Sequence, residues 1–141
     1  MKKIFFVAFL LSVNIAVFAQ CGKDQKLTSS KTEYLDSGMN VQKTVGENTV
    51  IEITKDSITI IPGSDDNKMT GTIASTDCNW TTPYKEGKSI LKTAITDPGG
   101  DTKNVTITIA GKEGKLYLTA LVDDEPNQII RVALDSFEEK K

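Results

Sequence analysis

The stretch over residues 104–122, NVTITIAGKEGKLYLTALV, constrains this chain more than any other. Its first half alternates strictly, with Val105, Ile107 and Ile109 pointing one way and Thr106 and Thr108 the other. A period of two is the signature of a strand with one buried face. Gly111-Lys112-Glu113-Gly114 reads as a hairpin turn, two glycines around two charged residues. The chain returns with Leu116, Leu118, Ala120 and Val122 on one face and Tyr117, Thr119 and Leu121 on the other. A lone hairpin is not stable in water, so this one needs more sheet around it.

The flanks repeat the pattern. Residues 27–35 are a Ser- and Thr-rich run closed by Asp36-Ser37-Gly38, a turn signal. A short piece at 41–45 is broken by Gly46-Glu47-Asn48. Two β-branched runs, TVIEIT at 49–54 and SITIIP at 57–62, flank a tight turn at Lys55-Asp56. Residues 69–80 read as a longer strand, with Thr72, Ala74, Thr76, Cys78 and Trp80 on one face. Pro83 and Gly87 mark 81–88 as a loop, and 89–95 is a strand ended by Asp97-Pro98-Gly99-Gly100-Asp101. After the hairpin, 123–127 is a turn and 129–137 the last strand, with Ile130, Val132 and Leu134 on its buried face.

No stretch is long or periodic enough for a substantial helix. The pattern predicts an all-β domain of about eight antiparallel strands in a meander, because short connections make sequence neighbours spatial neighbours. Closure into a barrel removes the exposed edges that invite aggregation. A two-sheet β-sandwich is the alternative.

The chain opens with a basic start, Met1-Lys2-Lys3, then the ten-residue apolar run IFFVAFLLSV, then Val17-Phe18-Ala19. That order is a secretory signal cleaved before Gln20, and the run is too short to span a membrane. The division expected is therefore a signal peptide at 1–19 and a single domain at 20–141, periplasmic or secreted. Two of the 17 basic residues leave with the signal and none of the 19 acidic ones does. The exported part then carries a net charge of about −4, with no basic block, which argues against nucleic acid as a partner.

There are two cysteines, and export permits a disulfide between Cys21 and Cys78. The alternative fate of Cys21 is lipidation, which would make the protein a membrane-anchored lipoprotein. The two fates exclude each other, and a membrane tether is expected only in the second.

An exported chain of this length with eight meandering strands resembles the small lipocalin-like barrels of bacterial envelopes. The resemblance is one of architecture and covers the mature chain. The family's Gly-x-Trp at the first strand has no counterpart, since the region reads Gly22-Lys23-Asp24-Gln25-Lys26-Leu27 and the sole tryptophan is Trp80. The family's arginine near the last strand does have one in Arg131, the sole arginine.

The chain has no histidine, which removes Ser-His-Asp and Cys-His catalysis and the commonest metal ligand. Gly99-Gly100 lies between strands, unlike a phosphate loop, which opens a helix. Neither Asp65-Asp66-Asn67 nor Asp123-Asp124-Glu125 has the spacing of a calcium loop. No enzyme, metal or cofactor is expected. Trp80 and Tyr84 flank a Pro-containing loop, where aromatics at a barrel mouth would hold an apolar ligand; packing over the end of the core is the other reading of Trp80. Arg131 would meet a ligand carboxylate if it faced inward, and solvent if Ile130 and Val132 take the core.

Together these features lead to a non-catalytic binding protein: a carrier or sensor of a small apolar molecule, with Trp80, Tyr84 and Arg131 as candidate contacts. The alternative is an envelope interaction protein or inhibitor acting through its loops. A cavity of a few hundred cubic ångströms would favour the carrier, and a filled core would exclude it.

Overall fold

The computed structural model describes residues 21–140, so the expected signal at 1–19 lies outside the described residues. Nine strands follow in order: β1 (Gln25–Leu35), β2 (Val41–Ile53), β3 (Ser57–Pro62), β4 (Met69–Thr82), β5 (Glu86–Thr96), β6 (Thr102–Lys112), β7 (Lys115–Val122), β8 (Ile129–Ala133) and β9 (Ser136–Glu139). Each of β2 to β7 pairs antiparallel with the next, and β1 pairs with both β8 and β2, which closes the sheet. The result is an eight-stranded antiparallel barrel of lipocalin-like architecture, with β9 as one further strand. The sandwich alternative is excluded by that closure. Among the described residues, no helix is long and apolar enough to cross a membrane.

The hairpin that anchors the sequence reading is β6–β7, with Ile107 opposite Ala120 and Ile109 opposite Leu118. Its loop is only Glu113-Gly114, and both residues have positive φ (54° and 82°). That is the type I′ geometry whose twist matches paired strands. Inward-facing Leu27, Ile51, Ile58, Leu91, Ile107, Ile109, Leu118 and Val132 fill the middle of the barrel, each at most 4% exposed.

Three strand expectations are corrected by irregularities. The pieces at 41–45 and 49–54 are one strand, β2. The Gly46-Glu47-Asn48 triplet sits at a register shift between Ser29 and Lys31 of β1, a bulge that bends the strand without ending it. The single last strand at 129–137 is split into β8 and β9 at Leu134 and Asp135. Both halves keep one register along β1, Val132 facing Thr32 and Ser136 facing Thr28. At the break, the Leu134 N–H donates to the Leu116 carbonyl at 2.9 Å and the Asp135 N–H to the Thr28 carbonyl at 2.7 Å.

The third correction concerns β4. A bulge between Ile73 and Ser75 shifts its register on β5 by one residue, and one residue exchanges the two faces. Gly71 and Ile73 therefore point inward on one side of the bulge, and Cys78 and Trp80 on the other. Thr72, placed by strict alternation on the face of Trp80, stands exposed on the outer wall. Space inside comes instead from Gly71, where a Cβ would lie 2.6 Å from the Ala94 carbonyl oxygen and 2.9 Å from Ile95 Cγ1.

The two ends of the barrel differ. The lower end, at Gln25 of β1, is closed by aromatics. Trp80 is fully buried and meets Phe137 edge-on at 5.6 Å, and Phe137 meets Tyr84 at 4.8 Å. Tyr84 reaches inward from the β4–β5 turn by adopting a φ of 62°. The upper end, at Leu35, is the mouth.

Candidate functional site

The mouth opens into a cup of about 280 Å³. All eight strands of the closed sheet contribute to its wall, because inward-facing residues recur every second position along each. Ile51, Ile60, Met69, Ile95, Val105, Leu118, Ala120, Val122, Ile130 and Val132 make it largely apolar. Small and β-branched side chains predominate on the upper turns of β6, β7 and β8, and Ala120 leaves most room. Near the rim stand Tyr34, Glu47, Asp97, Asp101 and Lys103. The Lys103 ammonium lies 3.5 Å from the Glu125 carboxylate. Asp97 Oδ1 accepts the Asp101 N–H at 3.0 Å, which fixes the β5–β6 turn beside the mouth.

Thr49 also stands in the cup wall. It is 5% exposed, and its Oγ1 is buried with no hydrogen-bond partner. A buried hydroxyl left unpaired costs about 1–3 kcal/mol. Three of the other buried hydroxyls are bonded: Ser29 donates to the Lys31 carbonyl, Thr93 to the Val105 carbonyl, and Ser89 accepts from the Trp80 indole.

A second cavity, about 560 Å³, lies in the side of the lower half. It exists because β3 is short: it pairs with β4 only from Met69 to Thr72, and below Ile73 that edge of β4 has no strand beside it. The gap is crossed by the Cys21–Cys78 disulfide, with Cα atoms 6.2 Å apart. The expected bridge is thus present and pins the N-terminal segment across the slit. Its walls are mixed, Lys23, Lys55, Asp56 and Asp77 standing with Ile53, Ile73, Leu91 and Ile109, and it opens sideways to solvent.

The three residues singled out from sequence as ligand contacts stand outside the cup. Trp80 is the packing anchor of the closed end, its Nε1–H donating to Ser89 Oγ at 2.7 Å, with the indole lying over the bare Cα of Gly87. Tyr84 belongs to the same aromatic plug, and burial, with the charge of Glu139 second, raises its phenol above the ordinary range. Arg131 alternates with Ile130 and Val132, which face the cup, so its own side chain lies on the outer wall. There it meets Glu33 at 3.0 Å, opposite in register, and stacks 5.4 Å from the Tyr117 ring centre.

The cup residues were in the sequence as ordinary alternating strand positions, and nothing set Thr49 or Glu47 apart. Comparison with known protein families, with curated proteins and with solved structures finds no match.

Proposed function

We propose that the protein is an exported, non-catalytic carrier or sensor that holds one small apolar molecule in the cup. The observation carrying this reading is an apolar space open at one end of a barrel whose other end is plugged. A water-filled hollow lined by Ile, Leu and Val is unfavourable, and an apolar guest gains by displacing that water. At about 30 Å³ per water-sized group, 280 Å³ accommodates roughly nine or ten non-hydrogen atoms. The disulfide supports an oxidising compartment, periplasmic or extracellular, in line with the export signal. It also occupies the Cys21 sulfur that a lipid thioether would require.

The test is a titration with 1-naphthylamine, a neutral two-ring dye of eleven non-hydrogen atoms whose blue emission brightens in apolar surroundings. Saturable brightening is expected for the native protein. Ala120→Phe, which puts a ring into the cup from β7, should weaken binding by at least about tenfold, several lost apolar contacts being involved. Unchanged affinity in a folded Ala120→Phe variant would locate the dye elsewhere and refute the reading.

A further inference from the structure

We propose that the cup selects a small amphiphilic amine, its alkyl tail on the floor and its ammonium head held against β2 between Glu47 and Thr49. This rests on the binding reading above and names the ligand class. Three inward side chains of β2 descend from mouth to floor in the order Glu47, Thr49, Ile51, so charge gives way to hydroxyl and then to hydrocarbon. Alternate residues of a strand are spaced by roughly 6.5 Å, and a head between the first two reaches both.

Thr49 makes the position more than an acidic rim. Its hydroxyl has no partner, unlike those of Ser29, Ser89 and Thr93, and it is 95% buried in the wall of the cup, where Thr32 also stands. Its methyl and hydroxyl occupy two of three staggered positions, and the guest engages the oxygen in the rotamer that turns it toward the cup. A primary ammonium has three donors and no acceptor. One donor serves Thr49 Oγ1 and another makes a charge-assisted bond to Glu47.

The charge around the mouth has the matching sign. Glu47, Asp97 and Asp101 face one cation among the lining residues, Lys103, which is drawn to Glu125. The only guanidinium is on the outer wall with Glu33. A carboxylate head would sit among three acids, with Lys103 drawn to Glu125 and Lys43 held over the Tyr34 ring, and like charges at this range repel. The floor sets the tail: nine or so non-hydrogen atoms in all correspond to octylamine.

The experiment is calorimetric titration of the purified protein at pH 7 and low salt with octylamine, octan-1-ol and octanoate. Octylamine is expected to bind most tightly and octanoate at least about tenfold more weakly, since rim charge discriminates by sign. Glu47→Gln should weaken octylamine by about tenfold and leave octan-1-ol unchanged, while Thr49→Val weakens both by several-fold. Octanoate binding as tightly as octylamine, or Glu47→Gln leaving octylamine unaffected, overturns the amine assignment while the carrier reading stands. Failure of all three ligands together with failure of the naphthylamine dye overturns both.

Discussion

Replacing both Cys21 and Cys78 with alanine removes the covalent link across the side slit, and the size of the effect follows from chain statistics. The bridge joins residues 57 apart in sequence. Closing a loop of that length removes about 14 cal/mol/K from the unfolded chain, or about 4 kcal/mol at 25 °C. The folded state loses little else: both cysteines are only partly buried at the edge of the core, and the hydrogen bond to the bridge is a long Ser89 hydroxyl to Cys78 sulfur approach of 3.6 Å. In a domain of this size each kcal/mol moves the midpoint by about 3–5 °C, so Tm should fall by about 12–20 °C. Circular dichroism melts of oxidised protein, reduced protein and the double variant measure this directly, and the last two should coincide. A difference between oxidised and reduced forms smaller than about 4 °C would refute the reasoning, since less than a third of the loop term would then be expressed. Dye affinity at room temperature should be unchanged, because the cup lies at the opposite end from the bridge.

Glu113 holds a φ of 54° in the two-residue turn, a conformation Asn adopts more readily. Glu113→Asn should add about 0.5–1 kcal/mol, seen as a higher urea midpoint. Gly71→Val should cost about 1–3 kcal/mol or more, because its Cβ would press on Ala94 and Ile95, whereas Thr72→Val on the outer wall should stay within about 0.5 kcal/mol. Equal effects at 71 and 72 in denaturant melts would contradict the bulge in β4. The raised Tyr84 phenol binds its proton more tightly folded than unfolded. Its stabilising contribution is therefore complete below the unfolded tyrosine pKa and disappears as pH rises through the folded one. Ultraviolet titration should show one late tyrosine step, absent in Tyr84→Phe.

The fold was legible where the chain alternates without interruption. β6 and β7 keep a period of two for their whole length, and the Glu-Gly pair between them has room for no other connection. Legibility failed at β4 for a physical reason: a bulge costs one residue and leaves no compositional mark, yet it moves Thr72 and Trp80 to opposite faces. Trp80 itself was open to two readings, and burial with a bonded indole makes it the packing anchor. The cup was not legible at all. An internal space is set by the sum of side-chain sizes at one height across eight strands, so Ala120 has meaning only beside Ile107 and Ile130. The unpaired state of Thr49 is likewise a property of its surroundings, invisible in a run such as TVIEIT.

Both ends of the described chain come together at the plugged end. Glu139 pairs with Gln25, and the Lys140 N–H donates to the Asp24 carbonyl at 2.7 Å. From Gln25 to Tyr34 the first strand climbs nine residues, about 30 Å measured along the strand. A fusion partner, affinity tag or solid support attached at either end of the described residues therefore sits beneath the barrel and leaves its opening pointed away. The same proximity allows the two ends of the described residues to be joined by a short linker and the chain reopened at Lys55-Asp56, a circular permutation that would keep every strand beside its present neighbours.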